Sequence, residues 1–141
     1  MKPTLFLRIA SILVLIFCAG HITGTLSPPA PGVQTMVVQT MKANSFNAMG
    51  SMRTFWDFLF GYGLILSIFL LAHCILFWQL GSLAQTDAWR LRPIFVLLAL
   101  EFLAQAPIAA RYFFLGPAIF SLLIAACLAM AAFTARSGGA T

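Results

Sequence analysis

Charge is scarce in this sequence, and negative charge is scarcest: 141 residues carry three Asp and Glu against eight Lys and Arg. Charged residues make up 8% of the chain and apolar ones 62%, whereas soluble domains carry roughly 25% charge. No single soluble core of this size hides so much apolar surface behind so few polar groups. A water-soluble globular domain is therefore excluded, and lipid is the expected solvent. The +5 net charge does not point to nucleic acid, because the basic residues are thinly spread and flank apolar runs. Such a pattern sets membrane orientation and favours anionic lipid.

Cysteine is restrained too. Cys18, Cys74 and Cys127 fall in three different apolar stretches, so none is placed for a disulfide, and the lack of C-x-x-C argues against a thiol oxidoreductase. Each reads as a small buried apolar residue. The chain also lacks G-x-S-x-G, H-E-x-x-H, a phosphate-binding glycine loop and an aspartate-rich lipid-transferase motif. No reaction is named by these residues, and no cofactor or metal is called for. Met36, Met41, Met49 and Met52 invite a thioether copper site with His21, but their irregular spacing suits adaptable packing better.

Four apolar stretches remain, near residues 5–22, 55–78, 93–114 and 117–135, each close to the roughly 17–25 residues that cross a bilayer. The expected fold is all-α: a single domain over residues 1–141, built as a four-transmembrane-helix bundle. The first stretch resembles a signal peptide, but Arg8 interrupts it and no A-x-A site follows, so it is read as an uncleaved helix. With the N-terminus inside, Lys2, Arg8, Arg90, Arg92 and Arg136 lie on the inner side and Lys42, Arg53 and Arg111 outside. That bias favours an N-in/C-in multi-pass protein, placed in the plasma (inner) membrane if the source is bacterial. Phe55, Trp56 and Tyr112 would mark the outer interface, and Trp78 and Trp89 the inner one.

The connections are unequal. Gly116 supplies a turn before Pro117, which suits a helix start, so the last two helices form a tight hairpin. Residues 79–92 read as a short polar connector. Residues 23–54 form one longer extracytoplasmic loop, whose proline-rich beginning precludes a regular helix. After it, residues 33–42 repeat Gln-Thr-Met and align Val33, Met36, Val37 and Met41, which predicts a short amphipathic helix at the membrane surface.

The polar groups inside the spans are the best functional evidence. Glu101 stands within the third stretch, where an ionisable group usually pairs, faces a cavity or serves transport. Glu101, Gln105, Ile108 and Tyr112 recur at helical spacing and share one stripe, and Tyr62 and His73 share a face of the second helix. Counting at ~1.5 Å per residue places His73 and Glu101 within about 4 to 5 Å in depth. They are expected to meet, with Gln105, Tyr62 and Tyr112 continuing a ladder outward and Arg8 snorkelling or reaching towards Glu101. In one reading the ladder fixes packing through interhelical hydrogen bonds; in the other Glu101 is a proton or cation site.

A second constellation lies at the outer mouth: His21 ends the first helix, Arg53 and Asp57 start the second, and Arg111 ends the third. An interfacial salt bridge between Arg53 and Asp57 is one reading; an anion site for a lipid headgroup or carboxylate is the other. Gly61-Tyr62-Gly63 permits close approach, Pro107 frees a carbonyl one turn below it, and Ser121, Ala125 and Ala129 form a small-residue track for close helix packing.

Gly20-His21, Gly24-Thr25 with its proline-containing loop, Arg53-Thr54-Phe55-Trp56-Asp57-Phe58 and Gly61-Tyr62-Gly63 together resemble small bacterial four-helix integral membrane proteins of unknown function. The resemblance covers the first helix, the outer loop and the second helix, and it implies a location without an activity. The functional expectation is a binding or accessory protein for membrane lipids or a membrane partner, as a homodimer or within a larger complex. A small proton-coupled transporter using Glu101 is the alternative. A membrane-embedded enzyme drawing on His21, Asp57 and Arg111 comes third.

Overall fold

The computed structural model of the chain describes residues 2–135; Arg136, counted above among the inner cations, lies outside them. Helix α1 spans Pro3–Leu26 and α2 spans Val33–Ala43. Strands β1 (Ser45–Ala48) and β2 (Ser51–Thr54) follow, then α3 (Phe55–Tyr112) and α4 (Leu115–Thr134). Helices α1, α3 and α4 are each long and apolar enough to cross a membrane.

At 58 residues and ~1.5 Å per residue, α3 would extend about 87 Å if straight, far beyond a hydrocarbon core of ~30 Å. It is not straight. Asp87 leaves helical geometry (φ −145°, ψ 71°), and the two arms fold back against each other. His73 on the first arm meets Glu101 on the second, and the Phe77 and Phe102 rings lie 5.9 Å apart. The residues expected to form a connector, 79–92, are helical apart from this one break. Helix continues through 79–86 because Phe77, Leu80 and Ala84 keep an apolar stripe that the fold buries. It restarts at once because Asp87 is an N-cap: its Oδ1 accepts the Arg90 amide (3.4 Å), and Arg90 Nε closes on Oδ2 at 2.9 Å. Asp87→Ala should cost about 1 kcal/mol through the lost cap, read as a lower unfolding midpoint in detergent. An unchanged midpoint would show that the break is held by packing alone.

The chain divides into two compact units: the described residues up to Phe17 and from Leu70 onward form one, and Cys18–Phe69 the other. In the first, four helical pieces close a ring of contacts. Ser11 Oγ of α1 donates to the Cys74 carbonyl of the first α3 arm at 2.8 Å, the arms meet as described, the second arm borders a groove with α4, and Phe17 of α1 stacks on Phe120 of α4 at 5.4 Å. Leu7, Val14, Phe77, Phe95, Phe102, Ile124 and Leu128 are fully buried at its centre.

The chain is mostly helical, as expected, but in the second unit the residues between the spans also hold two short strands. The amphipathic helix is present as α2, but an antiparallel hairpin pairs Ser45 with Thr54 through Ala48 with Ser51. Its turn is Met49-Gly50, both at positive φ (52° and 90°), with the Asn47 side chain accepting the Gly50 amide at 2.7 Å. Phe46 lies against Phe55 (4.8 Å) and Phe58 (5.9 Å), seating the hairpin on the start of α3.

The link from α3 to α4 is as tight as expected, but the reversal falls at Phe113 and Phe114 and not at Gly116. Phe114 is the extended N-cap of α4, so Gly116 and Pro117 lie in the first turn, where a missing amide proton removes no helical bond. A Cβ at 116 would come within 2.9 Å of the Phe114 ring, but that ring is exposed and can turn aside.

Candidate functional site

Of the expected ladder, the structure brings together three members, all in the first unit. His73 Nε2 lies 3.3 Å from each oxygen of the Glu101 carboxylate. Gln105, one turn further along the same arm, donates its Nε2 amide to Glu101 Oε1 at 3.2 Å. Both carboxylate oxygens are thus engaged, one by the imidazole alone and one shared with the amide. The His73 ring is set edge-on to Phe77 (5.7 Å) and Phe102 (5.6 Å), both fully buried, so its plane is fixed by aromatic walls. The contact exists because position 101 on the second arm comes back beside position 73 once α3 reverses at Asp87.

Their access to the surroundings is unequal. The side chain of His73 is 21% exposed and that of Glu101 39%, so the carboxylate is the more open partner. The carboxylate is met from the first arm by the imidazole and from its own arm by the Gln105 amide. Chemically the arrangement can bind a proton or act as an interhelical clasp.

Within the same unit, Tyr112 and Arg8 do not join this cluster. Tyr112 is exposed, with the Arg111 guanidinium 5.6 Å from its ring. Tyr62, in the other unit, is exposed as well. Arg8 does not reach Glu101. Its guanidinium stacks 3.5 Å over Trp78 and Nη2 donates to Ser82 at 2.9 Å, which is the snorkelling geometry of a cation at a helix end. Gly81 leaves room for it: a Cβ there would stand 3.3 Å from Arg8 Nε.

The outer-mouth residues of the second unit have structural engagements. His21 Nε2 is 3.0 Å from the Gly63 carbonyl. Asp57 Oδ2 accepts the Thr54 amide at 2.7 Å while Thr54 Oγ1 accepts the Asp57 amide at 3.1 Å, a reciprocal capping box at the start of α3. Arg53 donates to the Met52 carbonyl at 2.8 Å, so the carboxylate of Asp57 serves the helix end and not an ion pair with Arg53. Lys42 lies 4.6 Å over the Trp56 ring. Among the described residues no group of three or more His, Cys, Asp or Glu is arranged to hold a metal ion.

One feature escaped sequence reasoning altogether. Between the second α3 arm and α4 runs an open groove of about 570 Å³, apolar except for Arg92 at one end. Ala125 and Ala129 of the small-residue track line it, so the track is in part a floor and not only a packing seam. Compared with known protein families, with curated proteins and with solved structures, the chain matches none.

Proposed function

We propose that this chain is a four-span, N-in/C-in integral membrane protein that works as a binding or accessory protein for membrane lipid or a membrane partner. The four spans follow if α3 counts as two arms, each long enough to cross the hydrocarbon core. The observation that supports the binding reading is the open apolar groove with a cation in its lining, where Leu100, Leu103, Leu122 and Phe133 stand exposed. A groove of that size falls within the roughly 300–1,000 Å³ typical of ligand sites. Of the enzymatic candidates, His21 and Asp57 bond backbone groups and Arg111 lies against the Tyr112 ring, engagements that favour structural roles over a membrane-embedded enzyme.

Topology and binding are tested together. Reporter fusions at Ala43 should report the outside and fusions at Thr141 the inside, and the protein purified in mild detergent should retain phospholipid and lose stability when stripped of it. An inside signal at Ala43 rejects the topology; a lipid-free protein of unchanged stability rejects the lipid role.

A second reading is favoured by the His73, Glu101 and Gln105 cluster: a small proton-coupled transporter in which Glu101 takes the proton and His73 tunes it. Proton uptake by proteoliposomes that survives Glu101→Gln excludes it.

A further inference from the structure

The groove between the second arm of α3 and α4 is apolar apart from Arg92. It is lined by Leu100 and Leu103 on α3 and by Phe133 and the methyl groups of Ala125 and Ala129 on α4. From Arg92 to Leu103 the α3 wall extends about 16 Å at ~1.5 Å per residue. A long apolar channel with one cation at its end is the complement of an amphiphile, and specifically of an acyl chain attached to an anion.

The charge of Arg92 sharpens this. The whole chain holds three acidic residues, and every one is already engaged: Asp57 with Thr54, Asp87 with Arg90, and Glu101 with His73 and Gln105. The guanidinium of Arg92 faces the Trp89 ring at 5.1 Å, an aromatic partner that leaves its planar donors suited to a phosphate oxygen pair. Among the described residues no side-chain carboxylate is left over for Arg92, in this chain or in a second copy seated on the groove. Arg92 is exposed and open to an anion from its surroundings.

We infer that the groove between the second arm of α3 and α4 binds one anionic phospholipid, its phosphate on Arg92 and an acyl chain along Ala125 and Ala129. Anionic headgroups lie at the depth where a helix-end arginine beside a tryptophan is found. The inference rests on the lipid-binding reading above and names the class of lipid and the residues that choose it.

The test is native mass spectrometry of the full chain, released from detergent after mixing with equal amounts of phosphatidylglycerol and phosphatidylcholine. The wild type should retain phosphatidylglycerol about tenfold over phosphatidylcholine: both offer a phosphate to Arg92, but the quaternary ammonium of phosphatidylcholine sets a like charge beside the guanidinium, which phosphatidylglycerol lacks. Arg92→Gln should bring the two lipids to parity, and Arg92→Lys, which keeps the charge, should retain most of the preference and guards against a folding defect. Ala129→Phe, filling the floor, should lower retention of both lipids. Preference that persists in Arg92→Gln, equal retention by the wild type, or undiminished binding in Ala129→Phe overturns the inference while leaving lipid binding elsewhere intact. A dimer that becomes monomeric in Ala129→Phe without loss of lipid assigns the groove to a second copy and also overturns it. Retention of no phospholipid at all removes the lipid-binding reading itself.

Discussion

A single methyl group added at Gly63 is expected to destabilise the protein by about 1–3 kcal/mol, the usual cost of overfilling a packed site. A Cβ at this position would stand 2.7 Å from Thr25 Cγ2 and 3.0 Å from Thr25 Oγ1. Thr25 cannot turn aside freely, because its hydroxyl donates to the His21 carbonyl at 2.9 Å. The same glycine presents its carbonyl to His21 Nε2 and to Ser67 Oγ at 2.9 Å, so any shift of α3 that relieves the clash disturbs two further hydrogen bonds. Thr25→Ala in the same chain removes the obstructing atoms and should restore most of the stability. Thermal unfolding of Gly63→Ala and of the double variant in detergent decides the matter: equal losses in both would show that the close approach is not the cause.

The second large effect concerns the clasp between the α3 arms. His73→Leu leaves Glu101 facing an apolar side chain with only Gln105 beside it, at a cost of about 1–3 kcal/mol for a polar group that loses its partner. The 39% exposure of Glu101 keeps the expected value near the lower end, since solvent screens part of the loss. Replacing both residues, His73→Leu with Glu101→Leu, should recover part of the stability: neither clasp partner is left facing an apolar group, but the Gln105 amide loses its acceptor. The coupling energy of the cycle should fall near the ~0.6 kcal/mol average for interhelical hydrogen bonds in membranes, with ~1.7 as an upper bound. A coupling of zero would mean that the 3.3 Å contact contributes nothing. Glu101→Gln belongs in the same series, because the neutral amide can still bond His73 and Gln105. A clasp predicts near-native stability and no further phenotype; a proton site predicts near-native stability with loss of pH-dependent uptake.

Much of this arrangement was legible in the residues. Helical periodicity and depth counting bring His73 beside Glu101 and align Gln105 with it, because both depend only on rise per residue and on the reversal of the chain between the two apolar stretches. The amphipathic segment at residues 33–42 is visible for the same reason, since its apolar residues repeat at helical spacing. The hairpin at Ser45–Thr54 was hidden: its strands are four residues each, too short for alternation to register, and Met49 occupies a positive-φ turn position where Asn or Asp would have signalled it. Asp87 did carry a signal. An aspartate directly before a resumed apolar run is an N-cap pattern, but the polar neighbours Gln85 and Thr86 favour a connector when read by composition alone. For Arg8 the residues left two placements open, snorkelling or Glu101, and the structure has the first, since a guanidinium selects the nearest aromatic face and hydroxyl before a distant carboxylate. The groove could not be read at all, because it depends on how far the second arm of α3 and α4 stand apart.

The join between the hairpin and α3 has a mechanical consequence. Strand β2 ends at Thr54 and α3 begins at Phe55, with no residue between them to act as a swivel. The capping box clamps this joint from both sides, and Phe46 braces it against Phe55 and Phe58. A force on the Met49-Gly50 tip is therefore transmitted as rotation into the first turns of α3 instead of being absorbed in slack chain. The hairpin is a rigid handle on that helix, and whatever grips it gains leverage on the segment that carries Gly63.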